Sequence, residues 1–428
     1  MHTNTSSPRT RRPGPGGYRG RGPGGGGSAG PKRYGGGGSR GGGSFSRNNN
    51  RRGGSRAKYI DPKKFVNKAA PIEEVEAYDS GHSFADFQFV KQLHDNLEHK
   101  GYETPTAIQD QAIKSVMEGS DIVGLANTGT GKTAAFVLPI INKLALRRLE
   151  SDQRTPAIVI VPTRELAHQV DDEFRSFSFG MKLFSVVVVG GEPMGRQIQQ
   201  LRRGVDIIVG TPGRLKDLEE KGVLRLQDVD TLVLDEADQM LDMGFINDIK
   251  FLIGRTKTDR QMLCFSATMT RAVENLLEGL LTDPVTVSVR TSETSEHIEQ
   301  DIIRANGKED KIRLLEDILR KREFERVLVF GETKFGVQRL ADTLTKSGLK
   351  AEAIHGNKSQ AQRRRALEAF KKNTVQILCA TDVAARGLDI PDVSVVINFD
   401  QPNDYETYIH RIGRTGRAGK AGLALTFV

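Results

Sequence analysis

Apolar runs of four to six residues recur along most of this 428-residue chain, and the stretches between them carry apolar positions at helical spacing. A first series occupies 122–125, 157–161, 185–189, 206–209, 231–234 and 262–265, and a second occupies 327–330, 351–354, 376–380, 393–398 and 423–428. Short continuous runs rich in Val, Ile and Leu predict strands buried on both faces. Their alternation with helices predicts a mainly parallel sheet flanked by helices. Two series predict two tandem α/β domains, with Asp283 and Pro284 closing the first sheet and a polar connector after it. Ahead of the first run, Phe87, Val90, Leu93 and Leu97 lie at helical spacing, and Gly101 punctuates them.

Composition divides the chain further. Residues 1–58 hold 13 Lys or Arg and no Asp or Glu, so the +9 net charge belongs to this segment and the remainder is net −4. Dominated by Gly, Arg, Ser, Pro and Asn, it has too little apolar surface to offset the entropy of ordering, and a disordered tail is expected. Its Arg-Gly clusters resemble RNA-binding tails, in which arginines pair with phosphates and stack on bases; a merely solubilising tail is the alternative. The expected order is tail 1–58, linker 59–83 with Ile60, Phe65 and Val66 as its few apolar anchors, first domain 84–287, connector 288–299 and second domain 300–428. No run approaches the ~18 apolar residues of a membrane span, and the N-terminus lacks the apolar stretch of a signal peptide. Cys264 and Cys379 each end an apolar run, which predicts two buried thiols in a reducing compartment and neither a disulfide nor a metal site.

The densest local chemistry follows the run at 122–125. Ala126, Asn127, Thr128, Gly129, Thr130, Gly131, Lys132 and Thr133 join it to a helix-compatible stretch, so a strand, a Gly-rich turn and a helix start come in that order. Several backbone N–H groups are left free there, and the helix dipole favours an anion. A polyphosphate fits, with Lys132 reaching its outer phosphates and the Thr133 hydroxyl holding Mg²⁺. Ala126 stands where the usual phosphate-loop pattern has Gly. The run at 231–234 ends in Asp235, Glu236 and Asp238. Alone these carboxylates would read as a solvated strand end. Beside a phosphate loop, Asp235 is placed to bind Mg²⁺ through water and Glu236 to deprotonate an attacking water.

Asp-Glu-Ala-Asp at 235–238, the phosphate loop and the motifs that accompany them resemble the DEAD-box ATP-dependent RNA helicases of helicase superfamily 2, and within these the bacterial RhlE-type enzymes, over residues 84–428. The resemblance implies two tandem RecA-like domains, ATP and Mg²⁺ as cofactors and RNA as partner. It implies that Gln109 reads the adenine edge, since its amide offers both a donor and an acceptor, and that Tyr102 and Phe84 pack on the base. Without it this stretch reads as a helix-capping turn. Ala107 stands where many members have Pro. Asp238, Ser266, Thr268 and His410 match the residues that couple the acidic box to lobe closure. Pro162, Thr163 and Arg164, Gly190 and Gly191, and Thr211, Pro212, Gly213 and Arg214 match RNA-backbone contacts of the first lobe, where N–H groups and arginines grip phosphates without reading sequence. In the second lobe Gln360, Arg363, Thr381, Arg386 and Gly387 match further RNA contacts, and Asp389 matches a ribose ligand. Arg414 and Arg417 match the arginine fingers that meet the γ-phosphate on closure.

The expected activity is RNA-stimulated ATP hydrolysis coupled to separation of short duplexes, with little sequence preference. An ATP-gated RNA clamp or assembly factor and a DNA translocase of the same superfamily are the alternatives. A cytoplasmic monomer is expected, away from membranes, with ribosomal or RNA-decay proteins as candidate partners. Family members usually continue through a closing strand and helix beyond the point where this sequence stops, so the second lobe is expected to lack its last packing element. The Gly/Arg tail stands before the core instead of after it.

Overall fold

In the computed structural model, which describes residues 60–68, 78, 80–127, 129–150, 157–289, 298–321, 324–385, 390, 393–416 and 422–428, the first series of apolar runs forms a seven-stranded parallel sheet. Its strands are β1 (Ile122–Ala126), β2 (Ala157–Ile160), β3 (Ser185–Val188), β4 (Ile207–Gly210), β5 (Thr231–Asp235), β6 (Gln261–Ser266) and β7 (Val285–Val289), in the order β3-β4-β2-β5-β6-β1-β7. The second sheet is also parallel. Its six strands are β8 (Ile298–Ile303), β9 (Val327–Phe330), β10 (Ala351–Ile354), β11 (Ile377–Ala380), β12 (Val395–Asn398) and β13 (Gly422–Phe427), in the order β10-β11-β9-β12-β13-β8.

The continuous apolar runs became central strands because helices cover both faces. Ala157 and Val159 point into one core with Phe136, Ile140 and Phe174, whereas Ile158 and Ile160 point into another with Leu215 and Leu252. The second lobe repeats the scheme: Val327 and Val329 face Leu315 and Leu340, while Leu328 and Phe330 face Phe370 and Ile390. Each of the Val, Leu, Ile and Phe side chains contributes about 1.5–3 kcal/mol on full burial. Among the described residues no helix is long and apolar enough to cross a membrane. Cys264 and Cys379 are buried free thiols, both pushed up to about 12 by burial.

The edges differ from the expectation. Asp283 and Pro284 do not close the first sheet, because β7 follows and pairs with β1. The connector expected at 288–299 contains the end of β7 and the start of β8. Both are edge strands with one sheltered side, and in β7 only Val287 is fully buried. Polar residues at Thr286, Ser288, Glu299 and Asp301 interrupt the apolar runs on which strands are recognised. The first regular helix also begins later than its pattern, at Lys91–His99, with Phe87 and Val90 ahead of it.

Because every strand within a sheet runs the same way, all its carboxyl ends lie along one edge, where parallel α/β folds collect their ligands. That edge of the first sheet presents the turns after β1, β5 and β6 together, and those after β2, β3 and β4 beside them.

Candidate active site

The turn after β1 is shaped by glycine. Gly129 and Gly131 have φ of +88° and +91°, in the left-handed region that side chains disfavour, and the Lys132–Glu150 helix starts directly after them. A Cβ on Gly131 would lie 2.4 Å from Gln109 Nε2. That amide donates to the Gly131 carbonyl at 3.1 Å and its oxygen accepts from Thr106 N at 2.9 Å, while Thr106 Oγ1 donates to the Thr130 carbonyl at 2.8 Å. Gln109 therefore completes a capping box and braces the phosphate loop from behind. Phe84 is a core residue, 2% exposed, and its ring lies 5.8 Å from the partly exposed ring of Tyr102.

Lys132 is buried beside the strand end, and its Nζ has no hydrogen-bond partner among the described residues. Asp235 Oδ1 and Glu236 Oε2 are likewise buried and unpartnered. Burial pushes the Asp235 carboxyl above its usual range, against the pull of Lys132. Burial and then the Asp235 charge push Glu236 up, opposed by Lys132 and by Arg414 of the second lobe. Glu236 also holds φ 54°, ψ 52°, an uncommon conformation for a residue with a side chain, at the turn from β5 into the Ala237–Asp242 helix. Three orphaned polar atoms, at the turns after β1 and β5, form a preorganised site for a charged ligand.

Asp238 is fully engaged. Its Oδ2 accepts from Ala267 N at 3.1 Å, Thr268 N at 2.8 Å and Thr268 Oγ1 at 2.9 Å, and its own N–H donates to Ser266 Oγ at 3.3 Å. The Ser266 hydroxyl in turn donates to the Thr268 carbonyl at 2.9 Å. The acidic box is thus tied rigidly to the turn after β6.

Along the same edge, Thr163 caps the Arg164–Phe177 helix by accepting from Leu166 N at 3.2 Å. Gly190 and Gly191 make room for Arg164, since a Cβ on Gly191 would lie 2.1 Å from its Nη1. Arg214 donates to Gln197 Oε1 at 2.9 Å and to the Glu192 carbonyl at 3.3 Å, so much of its fork is occupied within the lobe. Thr211 precedes the Pro212–Glu220 helix as its N-cap residue, with Gly213 in the first turn.

The second lobe reaches across to this edge. Gln360 Nε2 donates to Glu165 Oε1 at 3.0 Å, and Arg363 Nε pairs with the same oxygen at 2.9 Å. Arg411 grips Asp382 with two bonds of 2.6 and 2.8 Å and also donates to Asn398 Oδ1 and the Asp400 carbonyl. A small cavity lined by Phe330, Asp382, Thr407, His410, Arg411 and Arg414 opens beside this knot. Thr381 starts the turn after β11 and accepts from Ala384 N at 2.9 Å. Thr128, Arg386, Gly387, Asp389 and Arg417 lie outside the described residues. Glu165, Asp382 and Arg411 each belong to a motif legible in sequence, Asp382 with Thr381 among the residues that match RNA contacts, but the partner each one takes lies on another element and is not disclosed by the motif.

The chain resembles known proteins over both lobes. Residues 106–276 match the family described as DEAD/DEAH box helicase, and residues 310–419 match the Helicase conserved C-terminal domain. RNA helicase CrhR of Synechocystis is 43% identical over 332 residues, covering 77% of this chain and 66% of that protein. DEAD-box ATP-dependent RNA helicase CshA of Bacillus subtilis is 43% identical over 347 residues, 81% of this chain and 69% of the relative. The chain thus spans about two thirds of the length of these relatives. Among solved structures, S. cerevisiae Dbp5 bound to RNA and ADP BeF3 superposes with a TM-score of 0.70 at 30% identity, over 81% of this chain and 89% of that one.

Proposed function

The chain belongs to the DEAD-box ATP-dependent RNA helicases, and from that premise we propose how its own residues couple ATP hydrolysis to the separation of RNA strands. ATP lies on the phosphate loop with Lys132 at its outer phosphates. Glu236 orients the attacking water and takes its proton, for which a carboxyl raised by burial is suited. The unpartnered Asp235 Oδ1 and the Thr133 hydroxyl are oxygen donors of the kind Mg²⁺ takes, and when bound the ion supplies positive charge to the phosphates. Arg414, with Arg417 from the same motif, offsets the charge that develops on the transferred group. RNA lies across the turns after β2, β3 and β4 and is held mainly through its backbone, so sequence preference is weak.

One observation carries this reading. Gln360 and Arg363 of the second lobe meet Glu165 of the first at 3.0 and 2.9 Å, beside the edge that carries the acidic box, and the Arg414 charge opposes the upward shift of Glu236, so the two halves meet along one edge. A ligand that bridges both halves favours their closed arrangement, and closure by ATP and RNA together bends one strand away from its partner. The two buried thiols support a reducing compartment, and a cytoplasmic location is part of the proposal.

The test is Glu236→Gln in the full chain. ATP and RNA binding are expected to persist while turnover falls by about 10²–10⁴-fold. Full turnover in that variant would remove Glu236 from the mechanism. Stimulation by single-stranded DNA equal to that by RNA would overturn the choice of nucleic acid.

A further inference from the structure

Residues 60–68 precede the first lobe in sequence, yet they pack on the second. Ile60 and Phe65 share a core cluster with Ile298 of β8, Ala424 of β13, and Tyr408 and Ile412 of the Tyr405–Ile412 helix. Phe65 is completely buried, with its ring 4.7 Å from that of Tyr408. The Tyr408 hydroxyl donates to Gln300 Oε1 at 2.9 Å. Gln300 then closes the circuit through its backbone: Asn67 N donates to the Gln300 carbonyl at 3.0 Å, and Gln300 N to the Asn67 carbonyl at 2.8 Å. The segment is locally preorganised, because Asp61 caps the Pro62–Phe65 turn by accepting from Lys63 N at 3.0 Å. Lys64 lies 5.6 Å from the centre of the Tyr405 ring.

The supported helix is the one that presents the second lobe's site residues. Its Tyr408 and Ile412 face the clip, four residues apart and so on one side of the helix. Thr407, His410 and Arg411 line the cavity on its adjoining side, and Arg414 follows just past the end of the helix. We propose that Ile60–Asn67 is a positioning element of the second lobe, which buttresses the Tyr405–Ile412 helix along the side next to the cavity and thereby sets where Arg414 meets the nucleotide. Phe65 is fully buried against Tyr408 and acts through it. The inference rests on the role proposed above for Arg414. A catalytic group misplaced by about 1 Å can lose about 10²-fold in rate, so a residue packed on an adjoining face of the helix can govern turnover.

The test compares Phe65→Ala with Phe65→Leu in the full chain. It measures hydrogen exchange over 298–303 and 405–412, together with kcat and KM for ATP at saturating single-stranded RNA. Phe65→Ala is expected to speed exchange in both segments and to lower kcat about tenfold while KM for ATP changes less than about twofold, since the nucleotide is bound chiefly by the first lobe. Phe65→Leu, which refills most of the space, is expected to restore both readouts. Faster exchange with unchanged kcat would overturn the positioning role and leave the assignment of Arg414 standing. Unchanged exchange would overturn the clip itself. If Arg414→Ala also keeps full turnover, it is the parent reading that fails, while the exchange comparison still decides whether the clip supports the helix.

Discussion

Glu165 of the first lobe and Arg363 of the second form an ion pair of 2.9 Å, with side-chain exposures of only 6% and 10%. Gln360 adds a hydrogen bond to the same carboxylate oxygen. The family resemblance assigns Gln360 and Arg363 to RNA, and the geometry gives them a second task as a latch between lobes. Removing one partner of a pair sealed inside a protein costs about 3–5 kcal/mol, because the other charge is left uncompensated. Two lobes can part and rehydrate that charge, so the cost is expected to fall on closure and not on folding.

Glu165→Gln is accordingly expected to lower RNA-stimulated turnover by about 10- to 100-fold, with thermal unfolding nearly unchanged. Arg363→Met should do the same. The double variant should be no worse than either, since no charge is then stranded, and a double-mutant cycle on turnover reads the coupling directly. Strictly additive losses would mean that the pair does not latch the lobes.

Asp238 is the common acceptor of two backbone N–H groups and one hydroxyl from the turn after β6. Asp238→Ala orphans all three at once, and each buried unsatisfied group costs about 1–3 kcal/mol. Thr268→Val removes one donor and leaves the carboxylate its other bonds. Urea unfolding is expected to show a loss of about 2–5 kcal/mol for the first variant and about 1 kcal/mol for the second. Equal losses would show that the turn is held by something other than Asp238.

Local order in the sequence explains which of these features were legible there. Lys132 lies immediately after its glycine turn, and Asp235 immediately after its strand, so short motifs disclose both. The β2 run at 157–161 declares a central strand because both faces are apolar. In β7 and β8 only one side is sheltered, and the polar residues on the other conceal the strand. Glu165 and Arg363 are nearly two hundred positions apart, and no spacing rule joins them. Phe65 reads in sequence as an apolar anchor, but that it fills a socket made by Tyr408, Ile298 and Ala424 follows from topology, which brings β8 and β13 to one edge of the second sheet.

Residues 1–58 carry 13 positive charges and no negative ones. Contacts between such charges and a single-stranded backbone release counterions, which steepens the salt dependence of binding by about 0.7 in log–log slope per phosphate neutralised. Deleting the segment is expected to weaken RNA affinity and flatten that slope by several units, while turnover at saturating RNA is kept. Affinity titrations between low and moderate salt provide the measurement. An unchanged slope would assign the segment a solubilising role alone.

Lys143 offers a pH dependence with a definite sign. Its Nζ donates to Thr231 Oγ1 at 3.1 Å and Gln261 Oε1 at 3.0 Å, beneath the first sheet and close to Arg147 and Lys257, which are both paired with Asp230. Burial first, then the neighbouring Arg147 and Lys257 charges, pull the Lys143 ammonium down from 10.5 to about 8. Below that value both folded and unfolded chains hold the proton, and the full cost of burying the charge is present. Between about 8 and 10.5 the unfolded chain still holds the proton while the folded one releases it, so stability gains a contribution that rises with pH. Lys143→Met removes this group and its slope. The variant is therefore expected to melt above the parent at pH 7, and its advantage should narrow by roughly 2–4 °C as the pH approaches 9.5. Thermal unfolding followed across that range would detect the change, and a gap that stays constant would show that Lys143 keeps its proton in the folded chain.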